Sequence, residues 1–271
     1  MNKRYFKLLP DKRYFQYLGL LLFALVLFIV YALVPQELLA LKKAELPDGS
    51  QSDVEVAGKK DTMNQQEQDS IAQNIQEQLA ALDTTSQHFL LIGDSMGEYL
   101  RIRLNDYCAQ NGHTMQTVIW YSSSTEWYGS CDTLSHFIKK YKPTYILLDL
   151  GSNELFVRDI KKKREGYVKE ILKQIGDIPY VWIGPPNWKE DTGINDLIVK
   201  HVGKGRYFES KKLTYKRGKD HAHPVKSSAF QWMDSIADYL YHHADHRVRM
   251  EFPTEAPGKI PHTEILQPKR N

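Results

Sequence analysis

The chain has 271 residues, which is enough for one sizeable domain with appended segments. Its 36 basic and 33 acidic residues give a formal net charge of only +3, a balance too even to indicate a nucleic-acid-binding protein. The sequence contains no phosphate-binding glycine loop, no Cys-x-x-Cys pair and no internal repeat. Composition therefore gives no support to nucleotide-binding, zinc-ribbon or repeat proteins.

The N-terminal segment has the composition of a membrane anchor. Residues 17–34 contain neither a charged residue nor a proline, and with their flanks they reach the length that spans a bilayer. Residues 1–16 are basic, which predicts a cytoplasmic tail followed by an exported remainder. A cleaved signal peptide is the alternative, but the apolar run is long and no clear small-x-small site follows before Pro35. We therefore expect a single-pass membrane protein whose part after the anchor is periplasmic or otherwise extracytoplasmic.

Two polar stretches follow this anchor. Residues 35–63, with Pro47 and Gly49, are typical of a linker. Residues 64–83 are rich in glutamine and carry one apolar stripe, which predicts a polar amphipathic helix. The stripe covers only about three turns, so we interpret it as ordinary packing.

Residues 84–245 alternate between apolar runs and amphipathic segments. Strands are predicted near residues 88–92, 117–121, 144–150, 179–184 and 205–209, and helices near 96–109, 132–141, 162–175, 194–201 and 225–243. Such alternation indicates a parallel sheet covered by helices on both faces, that is, a three-layer α/β/α domain. After it, prolines stand among charged residues, and we expect residues 246–271 to be a disordered tail.

Three polar turns carry the candidate chemistry. The run Phe89–Ser95 ends in Gly-Asp-Ser, which puts Ser95 at the carboxyl end of a strand and at the start of a helix. A second apolar run ends in Gly-Ser-Asn-Glu at residues 151–154, and Asp220 stands three residues before His223. A Gly-Asp-Ser turn alone is more often a helix cap. Together, a hydroxyl, an amide and an acid–imidazole pair are the groups that acyl transfer needs.

In order and spacing these turns resemble the motif blocks of the SGNH (GDSL-type) hydrolase superfamily, between about residues 89 and 243. Met96 stands where leucine is usual and Glu154 where aspartate is usual; both changes are conservative. The resemblance implies a flavodoxin-like parallel sheet with strand order 2-1-3-4-5, the SGNH hydrolase fold. It also implies an enzyme that needs no cofactor.

The resemblance assigns a catalytic triad to Ser95, His223 and Asp220. Ser95 would attack an ester carbonyl, His223 would take and return the proton, and Asp220 would orient the imidazole. His221 is an alternative base, because in an extended turn it could point the same way as His223. Family position favours His223, and Pro224 suits the first position of the following helix.

The oxyanion hole implied by the resemblance has three donors. They are the backbone N–H of Ser95, the side-chain amide of Asn153 and a backbone N–H near Gly129, the candidate for the glycine of the second block. Asp94 is expected to brace the turn. No metal site is predicted, because His242 and His243, the first two residues of a histidine cluster near the C-terminus, face apart on a helix.

The two cysteines and two tryptophans allow further hypotheses. In an oxidising compartment Cys108 and Cys131 could form a disulfide, whereas in a reducing one they would be unrelated buried thiols. Trp127 and Trp188 follow predicted strands on the active side of the sheet and could stack on a sugar ring, although such aromatics more often serve packing.

The leading functional hypothesis is an envelope-anchored O-acetylesterase or O-acetyltransferase acting on cell-envelope glycans. Polar loops without a long insertion suit a small acyl group on a large hydrophilic carrier. SGNH domains with one membrane helix resemble partners of membrane-bound O-acyltransferases, which makes such a protein a candidate partner. The alternatives are an esterase or lysophospholipase at the membrane surface and a non-catalytic, glycan-binding SGNH module.

Overall fold

The computed structural model describes residues 82–255 and 262–268. The anchor expected at residues 17–34, the linker and most of the amphipathic helix lie outside the described residues. None of the described helices combines the length and the apolar character that crossing a membrane requires.

The described residues alternate strands and helices in the way that the sequence predicts. The strands are β1 (Leu82–Asp83), β2 (His88–Gly93), β3 (Thr114–Trp120), β4 (Tyr145–Asp149), β5 (Tyr180–Ile183), β6 (Tyr207–Phe208), β7 (Arg247–Val248) and β8 (Thr263–Leu266). The helices are α1 (Gly97–Asn111), α2 (Thr125–Gly129), α3 (Thr133–Tyr141), α4 (Ile160–Ile175), α5 (Ile194–Val202) and α6 (Lys226–His242). The short helix α2 was not predicted.

The central sheet is parallel throughout, in the order β6-β5-β4-β2-β3-β8. Its first five members, counted along the chain, follow the order 2-1-3-4-5, which confirms the prediction. The inner strands are apolar on both faces because helices cover both sides. Phe89 and Leu91 of β2 face α1 and α6, whereas Leu90 and Ile92 face α3, α4 and α5. The three-layer arrangement is therefore confirmed.

The prediction of a disordered tail at residues 246–271 is wrong for the described part of that segment. β7 pairs in parallel with β1, and β8 forms the edge of the central sheet beside β3. The Oε1 of Glu264 accepts a hydrogen bond from the hydroxyl of Tyr141 at 2.7 Å. Short strands of this kind are stabilised by the edges that they pair with, so proline and charge content alone gave the wrong expectation. The helix expected up to residue 83 is also wrong at its end, because Leu82 and Asp83 form β1.

A disulfide between Cys108 and Cys131 is contradicted, because both thiols are free. Cys108 is buried on the face of the sheet that contains Phe89, and burial raises the pKa of its thiol. Cys131 follows α2, and its thiol donates to the carbonyl oxygen of Trp127 at 3.0 Å. The neighbouring Tyr128 belongs to the opposite apolar layer. The sheet therefore separates the two sulfur atoms.

Candidate active site

The turn that carries Ser95 is held by the backbone of two adjacent strands. Gly93 has no room for a side chain, since a Cβ there would lie 2.0 Å from the carbonyl oxygen of Asp149 on β4. The N–H of Asp94 donates to that same oxygen at 3.0 Å, and the Oδ1 of Asp94 accepts the N–H of Met96 at 2.9 Å. Asp94 therefore braces the turn, and Ser95 lies two residues before the start of α1, with Met96 in between.

His223 comes to this turn on a hairpin. The N–H of Gly218 donates to the carbonyl oxygen of His223 at 2.9 Å, and the N–H of Val225 donates to that of Lys216 at 2.8 Å. The carboxylate of Asp220 caps the turn of this hairpin, because its Oδ1 accepts the N–H of His223 at 3.1 Å. The motif Asp-x-x-His is thus folded so that both side chains face the same side.

The three predicted triad residues form a chain of two hydrogen bonds in which His223 lies between Ser95 and Asp220. The Oγ of Ser95 is 2.8 Å from the Nε2 of His223, and the Nδ1 of His223 is 2.6 Å from the Oδ2 of Asp220. The backbone N–H of Ala222, the imidazole and the N–H of His223 lower the pKa of Asp220 to about 2. An ionised Asp220 only accepts hydrogen bonds, so Nδ1 carries the proton and Nε2 is free to accept the serine hydroxyl.

The alternative base, His221, lies elsewhere. It occupies the exposed turn of the hairpin with φ of 57°, and no hydrogen bond joins its side chain to another described residue. The structure therefore brings His223, and not His221, to Ser95. Substrate access is open, since the side chains of His223 and Asp220 are 42% and 53% exposed.

Asn153 lies beside the Ser95 turn, in a single 3₁₀ turn after β4. Its Nδ2 donates to the carbonyl oxygen of Ser123 at 2.9 Å and to the Oδ2 of Asp94 at 3.3 Å. Both hydrogens of the amide are thus directed at acceptors. To donate to an oxyanion, Asn153 would have to exchange one of these acceptors.

Gly129 does not occupy the position that the oxyanion-hole prediction requires. It ends α2, and a Cβ there would lie 2.6 Å from the Cα of Tyr167 on α4. This glycine permits close packing of two helices. The two residues directly after β3, Tyr121 and Ser122, line the cavity next to Ser95, and Ser122 has φ of 60°. The signal that could have located it is the serine run immediately after a strand, at the active edge of the sheet.

Glu154 connects the Asn153 turn to α2 and α4. Its carboxylate accepts the N–H of Thr125 at 2.8 Å, the hydroxyl of Thr125 at 2.9 Å and the Nε of Arg164 at 2.7 Å. Burial raises the pKa of Glu154, and these bonds act in the opposite direction. Sequence reasoning noted Glu154 only as a departure from aspartate and missed this role.

Two buried carboxyls lie directly under the site. Asp94 and Asp149 are both fully buried, and the side-chain oxygens of Asp149 accept no hydrogen bond from any described residue. Burial raises the pKa of Asp94 to about 7 and that of Asp149 well above its ordinary value. The proximity of the two carboxyls also disfavours ionisation of both at once.

The cavity at Ser95 has a volume of about 530 Å³. Besides residues of the hairpin, its lining contains Glu98, Tyr99 and Tyr121, and the hydroxyl of Tyr121 donates to the carboxylate of Glu98. The tryptophans considered for sugar stacking lie outside this lining. Trp127 packs against Trp120, with ring centroids 5.2 Å apart, and the Nε1 of Trp188 donates to the carbonyl oxygen of Ser152 at 2.9 Å. No cluster of His, Cys, Asp or Glu that could hold a metal ion occurs among the described residues.

No protein-family model matches the chain, and no curated protein matches it in sequence. Solved structures similar to it include the following three. The psychrotrophic esterase EstA from Pseudoalteromonas sp., inhibited by monoethylphosphonate, matches at a TM-score of 0.43 and 16% identity, over 56% of this chain and 96% of that one. The Clostridium thermocellum family 3 carbohydrate esterase matches at 0.44 and 14%, over 58% and 96%. TesA matches at 0.44 and 14%, over 57% and 98%.

Proposed function

We propose that this protein is an SGNH-type serine esterase, or an acyltransferase with the same chemistry, acting on small acyl groups through Ser95, His223 and Asp220. The observation that carries the proposal is the chain of two hydrogen bonds from the Oγ of Ser95 through the imidazole to Asp220. A serine that only caps a helix needs neither partner. Convergence of residues 128 positions apart in sequence is what a nucleophile with its general base requires.

In the proposed reaction the Oγ of Ser95 attacks the carbonyl carbon of the ester while the Nε2 of His223 takes the hydroxyl proton. Collapse of the tetrahedral intermediate breaks the bond to the alcohol oxygen, and His223 returns the proton to the departing alcohol. Asp220 stays ionised and stabilises the imidazolium that forms in between. Water or a sugar hydroxyl then resolves the acyl-enzyme, which yields hydrolysis or transfer respectively.

The intermediate places negative charge near the N-terminus of α1, where helix dipole and backbone N–H groups favour it. The proposed donors are the N–H of Ser95, the Nδ2 of Asn153 and the N–H of Ser122. Ser122 replaces Gly129 in this role because it lines the cavity, whereas Gly129 packs against Tyr167.

The proposed substrate is an O-acetylated glycan of the cell envelope. An open cavity with a half-exposed triad admits an ester on a large hydrophilic carrier. The apolar segment at residues 17–34 supports an extracytoplasmic location, and transfer onto a sugar would require a donor, for which a membrane-bound O-acyltransferase is the proposed partner.

The test is hydrolysis of 4-nitrophenyl acetate by the full chain. Ser95→Ala and His223→Ala should each lower kcat by about 10⁴-fold or more, because the triad acts as a unit. His221→Ala is the matched control, two residues away on the same hairpin, and should retain activity. Equal activity of Ser95→Ala and the wild type would refute the proposal. A rate that increases from acetyl to longer acyl esters would favour a lipid substrate instead of a small acyl group.

A further inference from the structure

The hairpin that carries His223 belongs to a strongly basic segment. Residues 211–226 contain six lysine or arginine residues and one acidic residue, in a chain whose overall charge is only +3. The acidic residue, Asp220, forms a hydrogen bond with the Nδ1 of His223. The basic segment therefore lies beside Ser95, and its single carboxylate forms no ion pair with a lysine or arginine among the described residues.

Two of the six basic side chains form hydrogen bonds or ion pairs with other described residues, and the ammonium of a third, Lys226, lies 5.2 Å from the ring centroid of Phe230. The guanidinium of Arg217 donates to the carbonyl oxygen of Asn187 at 3.0 Å and also to those of Ala222 and Pro186, which fixes the hairpin to the loop after β5. The ammonium of Lys212 forms an ion pair with Glu209. Through these contacts, Arg217 and Lys212 stabilise the structure of the segment itself.

Three of the remaining lysines, Lys216, Lys219 and Lys226, lie on or next to the hairpin, and we call them the lysine rim. All three are exposed, and none forms an ion pair with another described residue. Lys226 itself lines the cavity, and Lys219 stands between two cavity residues, Gly218 and Asp220. The main chain of Lys216 accepts a hydrogen bond from Val225, which also lines the cavity.

Unpaired cations around the opening of a cavity raise the local positive potential and concentrate anions there. The cavity lining also contains Tyr99, Tyr121 and the carboxylate of Glu98, groups that suit the faces and hydroxyls of a sugar ring. The carboxylate of Glu98 accepts a hydrogen bond from Tyr121 and keeps its negative charge, but the three positive charges of the lysine rim outnumber it. The cavity therefore combines groups suited to a hydroxylated ring with a rim suited to a negative charge.

We infer that the acyl ester is presented on an acidic polysaccharide, whose carboxylates lie along the lysine rim while the ester reaches Ser95. This inference rests on the proposed function and specifies the carrier that the site takes. An anionic membrane is the competing source of negative charge, but surface-bound proteins add apolar side chains to their basic ones. Of the exposed large hydrophobic residues among those described, Tyr99 lines the cavity, whereas Phe156, Val199, Phe252 and Ile265 do not.

The experiment compares two polymers that differ only in charge: O-acetylated polygalacturonate and the same preparation with its carboxyls converted to amides. The full chain should release acetate from the acidic polymer with about tenfold higher kcat/KM at low salt. Raising the ionic strength to about 0.3 M should remove most of this preference, because exposed charges are screened.

The variant K216Q/K219Q/K226Q should lower the ratio of kcat/KM on the acidic polymer to kcat/KM on 4-nitrophenyl acetate by about tenfold. The matched control K161Q/K162Q/K163Q removes the same charge from α4 and should leave that ratio unchanged. All substituted side chains are exposed, so no loss of folding is expected.

Three results would overturn the inference. The first is equal kcat/KM on the two polymers, and the second is an unchanged ratio in the lysine-rim variant. The third is loss of binding to vesicles containing phosphatidylserine in that variant, with acidic-polymer turnover unchanged, which would assign the rim to a membrane. Failure of the proposed function looks different, because then neither polymer nor 4-nitrophenyl acetate is turned over.

Discussion

Ser95 differs from an ordinary helix-capping serine because a distant imidazole meets its hydroxyl. The Oγ–Nε2 distance of 2.8 Å allows proton transfer without rearrangement, and the ionised Asp220 fixes the tautomer that accepts the proton. Only neighbouring groups set the charge of Asp220: this residue is solvent-exposed, and two backbone N–H groups and the imidazole lower its pKa. The reactive arrangement therefore depends on the shape of one hairpin turn.

At the same scale, Asn153 has a different arrangement, because its amide is fully engaged before any substrate arrives. Exchanging Asp94 or Ser123 for an oxyanion has a low cost, since one hydrogen bond replaces another. We therefore expect the amide of Asn153 to stabilise the transition state and to contribute little to substrate binding.

We predict that Asn153→Ala lowers kcat by about 10²–10³-fold while changing KM by much less, because the amide is used only when the oxyanion forms. Steady-state kinetics on 4-nitrophenyl acetate give both constants. Asn187→Ala, in the loop after β5, is the comparison variant. A rise in KM at constant kcat would instead make Asn153 a substrate-binding residue.

At the scale of elements, the loops that carry Ser122 and Asn153 are connected to α4 through one buried ion pair. Arg164 on α4 contacts Glu154 in the turn after β4, and Glu154 in turn accepts two hydrogen bonds from Thr125 at the start of α2. A second carboxylate, Glu126, pairs with the same guanidinium at 2.6 Å. The loops that follow β3 and β4 are thereby fixed to each other, and Ser122 and Asn153 are positioned relative to Ser95.

We predict that Arg164→Leu lowers the free energy of unfolding by about 3 kcal/mol, because it leaves the buried carboxylate of Glu154 without its cation. Urea denaturation of the full chain measures this change. Lys163→Leu, the exposed neighbour on α4, should change stability by less than about 0.5 kcal/mol. Equal effects of the two variants would show that the ion pair contributes nothing specific.

At the scale of the whole molecule, the fold holds two carboxyls under its active edge that burial disfavours as anions. A raised pKa in the folded state means that folding takes up protons. The stabilising contribution of Asp94 is fully present below about pH 3.8, its unfolded value, and is lost as pH rises through about 7. Asp149 acts in the same direction over a range that extends higher.

We predict that the melting temperature falls between pH 6 and pH 8.5 and that Asp149→Asn weakens this dependence. Each proton taken up on folding changes the free energy of unfolding by about 1.4 kcal/mol per pH unit. Thermal unfolding measured at a series of pH values tests this prediction, with the exposed Asp177→Asn variant as the control. Parallel curves for Asp149→Asn and the wild type would contradict the prediction.

The five strands β2 to β6, their order and the three polar turns could be predicted because the signals are local or come from resemblance. A strand buried on both faces has a short, continuous apolar run, and Phe89–Gly93 shows one. The turns were found because their polar residues interrupt such runs. Ser95, Asn153, Asp220 and His223 were therefore named from the sequence, and their proximity is a fact of the structure.

Other features depended on partners that are distant in sequence. β7 and β8 lie in a segment of prolines and charged residues without an apolar run, and they form strands because β1 and the free edge of β3 pair with them. Gly129 carries no mark that distinguishes a packing glycine from an oxyanion donor; only the contact with Tyr167 does so. An oxidising compartment would have allowed Cys108 and Cys131 to form a disulfide, and only the packing on the two faces of the sheet shows that they do not.

The sequence by itself determined which segments are buried strands and which residues could carry acyl-transfer chemistry, because hydrophobic periodicity and residue type are properties of a segment. The tertiary structure decided which of these residues meet and what surrounds them. It brought His223 rather than His221 to Ser95, put Ser122 and Lys226 on the cavity wall, and buried the side chain of Asp149 without a hydrogen-bond partner among the described residues. Each of these outcomes depends on a distance between residues far apart in the chain, and such distances are fixed only when the layers pack.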